Sequence, residues 1–313
     1  MGDEKKPVVA IVGSSNVDLF FKTERLPFPG ETVVASAFNK SYGGKGANQA
    51  VAVAKLGGRA IMVCKLGGDE GGRELFDNFS RAGVETNWIV KDPETSSGMA
   101  FITVDHKGEN SIVLYTGANM KLGTSDVERA IEGIKEADIV VTQLEIPIST
   151  VRRTGEIAKE LNLSFVLNPA PASKEDISDI LRIVDVLCPN RAETQALTGE
   201  KIESIDDARK GGRKLLSLGP RCVVLTLGSW GALLCTEDYE ELFPAPDVEV
   251  VDTTGAGDAF VGALAFALAR GSSKAEAVRF ATLAAAISVT KDGTQAGLPT
   301  LEEVVALERR ISR

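Results

Sequence analysis

The chain of 313 residues is 43% hydrophobic and 25% charged, a globular balance, and a chain this long buries about 75% of its unfolded surface. A formal net charge of −9 excludes the basic stripe of a nucleic-acid binder, and no apolar run approaches the length of a membrane span. The single histidine, His106, sits between Asp105 and Lys107 in an expected solvated turn, so triad and multi-histidine metal chemistry lack their parts and proton transfer falls to carboxylates.

The N-terminal stretch MGDEKKPVVAIVG has no long apolar region after its charges, and Lys6 stands where a myristoylation pattern needs Ser or Thr. Cys64, Cys188, Cys222 and Cys235 are far apart, with no C-x-x-C pair. They are expected as buried thiols of a reducing compartment, which places the protein in the cytoplasm.

Residues 8–13 (VVAIVG) read as the first strand, and GSSNVD puts Asn16 and Asp18 just past its end. Residues 16–42, with Pro27, Pro29 and Gly30, read as short strands outside the main pattern. SYGGKGANQA then places Gly43, Gly44 and Gly46 ahead of a helix over about 46–56 that carries Asn48. A strand at 60–67 and a helix at 72–82 follow. Residues 86–115 contain the alternating segments GMAFITVD and NSIVLYTG, joined through HKGEN. Further strands are expected at 138–145, ending in Glu145, and at 163–171, 184–190 and 222–229, with helices at 149–161 and 205–218. Most of these strands lack polar alternation, as strands covered on both faces do. The alternation of strand and helix predicts an α/β fold: a doubly wound, mostly parallel central sheet flanked by helices. The whole of 1–313 reads as a single domain, with segments 16–42 and 86–115 forming a small antiparallel β lid over the C-terminal edge of the sheet.

The stretch VVDTTGAGDAFVGALAFALARG carries the chemistry. Gly255, Ala256 and Gly257 bare several backbone N–H groups at a helix start, an anion site reinforced by the helix dipole. Asp258, in the first turn, is then placed to accept a proton from an alcohol attacking phosphorus. Alone, Asp258 reads equally well as a first-turn acid complementing the dipole. Two other glycine motifs are absent: in YGGKGAN Lys45 is followed by Gly46, which breaks the P-loop pattern, and GAGDAF has Phe260 where a dinucleotide fingerprint has its third glycine. Asn16, Asp18, the glycines at 43, 44 and 46, Asn48 and Glu145 converge on one sheet edge as a polyol pocket, although each alone reads as a cap or turn residue. Asn190 and Glu193 in CPNRAET are spaced to face a hydrated magnesium ion, and TLGSWG (226–231) is a small-residue turn able to lie against a planar base. Ordinary strand-to-helix and hairpin chemistry accounts for both segments equally.

GGKGANQA, NPAPA, PNRAET and DTTGAGDAF, in this order, resemble the ribokinase family of carbohydrate kinases, also called the phosphofructokinase-B family. The likeness runs from the first strand to AAAISVTKDGTQAGLP, nearly the whole chain, and QLEIP adds to it. The resemblance implies that Asp258 is the catalytic base and that Gly255, Ala256 and Gly257 supply the anion hole. It implies that Asn16, Asp18, Gly44, Lys45, Gly46, Asn48 and Glu145, with Asp258, hold the sugar. Asn190, Thr226, Leu227, Gly228, Ser229, Gly231, Gly257 and Thr282 would border ATP, with Glu193 acting through Mg2+ and water. A monovalent cation, usually K+, would lie at Asp252, Thr254, Ser288, Lys291, Gly293 and Gly297. Thr282 departs from the larger polar ring or amide that the family often carries near the adenine.

The reaction implied is ATP-dependent phosphorylation of D-ribose at its terminal O5 hydroxyl, in a homodimer joined through the lid, with no nucleic-acid or membrane partner. Deoxyribose, fructose, a ketogluconate-type acid and adenosine are alternative acceptors, and a catalytically silent sugar-binding regulator is the alternative of another class. Acidic Asp18 and Glu145, without an arginine clamp, favour a neutral sugar.

Overall fold

A computed structural model describes residues 6–173 and 175–311. Its main sheet has eight strands, in the order Glu240–Phe243, Ala232–Cys235, Val223–Thr226, Val186–Leu187, Ser164–Leu167, Ile139–Thr142, Val8–Val12 and Arg59–Val63. All pairings from Val223–Thr226 to Arg59–Val63 are parallel, and the other two strands complete an antiparallel edge. The run VVAIV is buried throughout because successive side chains enter opposite layers. Val9 and Ile11 pack with helices Lys45–Lys55, Ala256–Ala269 and Lys274–Ser288, whereas Ala10 and Val12 pack with Ile148–Glu160 and Ile205–Ser217. This is the doubly wound arrangement expected from the alternation of elements.

Helix Ala256–Ala269 is apolar all round, so it is stable only when enclosed. It packs on the sheet flanked by helices Lys45–Lys55 and Lys274–Ser288 and is followed by Gly271, whose φ of +90° admits the left-handed turn. Gly262 lets it approach helix Lys45–Lys55 closely: a Cβ there would fall 2.6 Å from Ala52 Cβ and 3.0 Å from the Gln49 carbonyl oxygen.

Segments 16–42 and 86–115 contribute to a separate four-stranded sheet, ordered Ala37–Gly43, Asn16–Lys22, Gly98–Val104, Asn110–Tyr115. It is mixed rather than wholly antiparallel. Its outer pairings are antiparallel, but Asn16–Lys22 and Gly98–Val104 run parallel. The connection between those two strands contains two helices, and a crossover of that kind returns the chain in the same direction. Val90–Asp92 lies outside this sheet and pairs instead with Lys65–Gly67, which breaks from the strand predicted over 60–67. His106 occupies the exposed hairpin turn, which Asp105 caps through the amides of Lys107 and Glu109. All four cysteines are buried and unpaired. Among the described residues no helix is long and apolar enough to cross a membrane.

Candidate active site

Gly255, at φ +77°, caps helix Ala256–Ala269 in a left-handed conformation that an L side chain rarely adopts. The Ala256 amide turns back to the Thr253 carbonyl at 3.2 Å, while Gly257 faces open space and lines a cleft. Asp258, one residue on, is only 6% exposed. Its carboxylate is held by two successive residues of the neighbouring helix: Asn48 Nδ2 donates to Oδ2 at 2.8 Å and Gln49 Nε2 to Oδ1 at 3.2 Å.

Strands Val8–Val12 and Ile139–Thr142 are parallel neighbours whose C-terminal ends lead into Ser14 and Glu145, at the edge where open parallel sheets bind ligands. Ser14 Oγ donates to Glu145 Oε2 at 2.5 Å and the Lys45 amide donates to the same oxygen at 3.0 Å, so Glu145 caps helix Lys45–Lys55 electrostatically. Asn16 Oδ1 accepts from Asn119 Nδ2 at 2.7 Å, and Asn119 Oδ1 accepts from the Ser15 amide at 2.9 Å. Asp18, 8% exposed, has its carboxyl pushed up to about 7 by burial first, then by the negative charges of Glu145 and Asp258. Its place depends on Gly43, where a Cβ would stand 2.0 Å from Asp18 Oδ2. Lys45 is the positive counterpart, held above the usual lysine range mainly by Asp258, against the opposing effect of burial. Gly46 plays a packing part: a Cβ on it would meet the Ser14 amide nitrogen at 2.7 Å.

On the other side of the glycine turn lies a cleft of about 910 Å³. Thr226, Gly228, Ser229 and Gly231 form one wall, Thr282, Ala285, Ala286 and Val289 another, and Ala256, Gly257 and Phe260 the floor. Leu227 is outside it: its side chain is fully buried in the core and its amide donates to the Gly231 carbonyl at 2.8 Å. The side chain is apolar, so it is buried just past the end of strand Val223–Thr226, and the flanking small residues face the cleft.

Asn190 and Glu193 close on each other as a capping box. The Asn190 amide and Nδ2 donate to Glu193 at 2.8 and 2.9 Å, and the Glu193 amide donates to Asn190 Oδ1 at 2.9 Å. Burial raises the Glu193 carboxyl. Behind the glycine turn, Asp252 Oδ1 accepts from the Thr254 amide at 2.8 Å and Oδ2 from the Gly293 amide at 3.2 Å, which ties two loops together. Ser288 Oγ donates to the Ala285 carbonyl, the Gly297 amide donates to the Gly293 carbonyl, and Lys291 Nζ reaches away to Glu303 at 2.6 Å. Among the described residues no group of three or more His, Cys, Asp or Glu side chains is placed to hold a metal ion.

The family model for the pfkB family carbohydrate kinases matches residues 6–301. The chain belongs to that family. This pfkB kinase is similar to the ribokinase of Staphylococcus aureus (strain COL), with 39% identity over 298 residues, 95% of this chain and 98% of the relative. It is also similar to the deoxyribokinase of Salmonella typhi, with 40% identity over 296 residues, 94% of this chain and 96% of the relative. The structure of Arabidopsis thaliana ribokinase complexed with ribose and ATP superposes with a TM-score of 0.89 at 33% identity, covering 96% of this chain and 98% of that one.

Several residues of this pfkB kinase's site escaped the motif reading. Asn119, from the short turn Gly117–Lys121, supports Asn16, and Gly98 admits the pair because a Cβ there would fall 2.2 Å from Asn16 Oδ1. Ala245, Pro246, Asp247 and Val248 wall the cleft from the loop after the last strand, where only the Pro and Ala content of PAPDV hinted at an ordered turn. Arg191 lines the same cleft with its guanidinium over the Trp230 ring, 4.9 Å from the centroid. Arg191 follows the cap Asn190, and a cation there opposes the helix dipole; no periodic signal selects it.

Proposed function

We propose that this kinase transfers the γ-phosphoryl group of ATP to the terminal O5 hydroxyl of D-ribose. The observation that carries the reading is the position of Asp258, which joins the polar pocket of Asp18, Lys45 and Glu145 to the helix start that floors the cleft. Asp258 takes the proton of the attacking hydroxyl. The amides of Gly255, Ala256 and Gly257 and the dipole behind them stabilise charge on the transferred group, with Ala256 contributing once its turn contact to Thr253 loosens. Asn16, Asp18, Asn48 and Glu145 orient the sugar, and Gly44 keeps the backbone close enough for that contact. Thr226, Gly228, Ser229, Gly231 and Thr282 border the base and ribose of the nucleotide, and Arg191 supplies a cation at the cleft wall.

Magnesium, when bound with the nucleotide, neutralises charge on the phosphate oxygens. Asn190 and Glu193 fit that ion as partners through water, since each already satisfies the other directly. The carboxylate of Asp252 and the carbonyls around Thr254, Ser288, Lys291, Gly293 and Gly297 are hard oxygen donors that suit a potassium ion. The four-stranded sheet acts as the lid that excludes water from the reaction, and its apolar exposed strands join two copies as a homodimer. Four buried, unpaired thiols suit a cytoplasmic setting.

The deoxyribokinase relatives at 40% identity support a second reading, 2-deoxyribose as acceptor. A coupled ATP-consumption assay with ribose, 2-deoxyribose, fructose, 2-ketogluconate and adenosine separates the two. The highest kcat/KM for ribose supports the first reading and the highest for 2-deoxyribose the second. Turnover confined to another acceptor overturns both.

A further inference from the structure

Three motifs carry an amide side chain to which the proposed reaction assigns no part: Gln49 in GGKGANQA, Gln143 in QLEIP and Asn168 in NPAPA. They come from a helix and from the ends of two neighbouring strands, and all three are buried behind Asp258. Gln49 Nε2 donates to Asp258 Oδ1 at 3.2 Å and to Asn168 Oδ1 at 3.3 Å. Its Oε1 accepts from Gln143 Nε2 at 2.6 Å, and Asn168 Nδ2 donates to the Cys188 carbonyl at 2.9 Å.

The polarity of this chain is forced. A side-chain amide can be drawn either way round, but a backbone carbonyl only accepts, so Cys188 obliges Asn168 to present its nitrogen there. Asn168 Oδ1 then faces Gln49, which must present its NH2 group. The same NH2 group meets Asp258. With Gln49 reversed, its oxygen would stand against both Asp258 Oδ1 and Asn168 Oδ1 with no proton between them. Gln143 holds the other end of Gln49, and its own Oε1 is buried without a protein partner. Gly13 leaves room for that oxygen, since a Cβ there would be 2.1 Å from it.

We infer that Gln49, oriented by Asn168 and Gln143, is a positioning residue for phosphoryl transfer: it keeps an N–H on one oxygen of Asp258 and so holds the carboxylate aimed at the sugar hydroxyl. This inference rests on the reading of Asp258 as the base. The amide adds a directional hydrogen bond to the positive charge that Lys45 already places near Asp258. The charged groups that face Asp258 are Lys45 from the same helix as Gln49, Asp18 from the four-stranded sheet and Glu193 from helix Arg191–Thr198. They remain in the variants below, so a change in profile reports the amide.

The test compares Gln49→Leu, Gln143→Met and Asp258→Asn, using single-turnover rates against pH at saturating ATP and ribose (or whichever acceptor the substrate panel selects). For Q49L we expect a rate loss of about 10- to 100-fold, KM for either substrate within about threefold, and an acid limb moved to higher pH. Q49L also leaves Asn168 Oδ1 and Gln143 Nε2 unpaired, so it can fail to fold. Q143M then decides: it removes one unpartnered buried oxygen and leaves another, on Gln49, so the fold is kept. We expect about a 3- to 10-fold loss in Q143M with the acid limb displaced in the same direction. An unchanged rate and acid limb in folded Q143M, or in folded Q49L, overturns the inference. If D258N is inactive while Q49L is unimpaired, the positioning role alone has failed; if D258N turns over normally, the reading of Asp258 has failed first.

Discussion

Asn48 Nδ2 lies 2.8 Å from Asp258 Oδ2, joining the N-terminal glycine motif to the C-terminal one across 210 positions of sequence. The bond spans two adjacent helices that Gly262 allows to touch. One end of Asn48 is thus occupied by the carboxylate, and its Oδ1 accepts from Gln295 Nε2 at 3.1 Å. Asn48 therefore links Asp258 to Gln295 in the short helix Thr294–Gly297.

The carboxylate between these two helices is expected to be indispensable for turnover. Asp258→Asn preserves the shape and removes the base, and kcat should fall by at least ~100-fold with KM for sugar and ATP changed only modestly. Steady-state kinetics on the folded variant measure this.

Asp18 should make sugar use pH-dependent. Its carboxyl is pushed up to about 7 in the free protein, so it is largely protonated below that pH and ionised above it. On the proposed reading, an ionised Asp18 would accept hydrogen bonds from sugar hydroxyls. We therefore expect kcat/KM for the sugar to fall as pH drops below 7, approaching about tenfold per unit, and Asp18→Asn to abolish that limb. Stability runs the other way. The folded value lies above the ordinary 3.8, so the folded chain binds the extra proton and stability falls as pH rises from about 4 through about 7. D18N removes that buried charge, and its Tm should exceed the unmodified protein's by a few degrees at about pH 8, with the gap closing near about pH 5.

Asp252 ties the loop before the glycine turn to the loop at Gly293. Activity should be several-fold higher in potassium than in sodium-only buffer, and Asp252→Ala should raise the potassium concentration for half-activation by about tenfold or more. Equal rates in both buffers would remove the potassium site.

The outer strand Asn110–Tyr115 is exposed along its whole length, and Val113, at 66% exposed, stands opposite Phe101 on the same face of its sheet. Sedimentation should show a dimer, and Val113→Asp should shift it to monomer and raise the sugar KM. A monomeric unmodified protein would exclude this interface.

Strand–helix alternation made the central sheet legible in the sequence, because strands covered on both faces must be apolar and a parallel return needs a helix. The glycine turn and Asp258 were legible for a similar reason: bare amides at a helix start are a property of consecutive residues. Capping chemistry at Asn190 and Glu193 is equally local, and their spacing contained it. The parallel pairing of Asn16 with Gly98 was not legible, since register between strands so far apart depends on where the intervening helices return the chain. Nor was the burial of Leu227 beside a cleft lined by its neighbours. Gln49, Gln143 and Asn168 lie in quoted motifs, yet their partnership with Asp258 exists only once helix and sheet are packed. Backbone propensity and apolar pattern are short-range and written in neighbouring residues; the direction in which a buried amide must point is set by a carbonyl from another strand, and only the tertiary structure brings that carbonyl within reach.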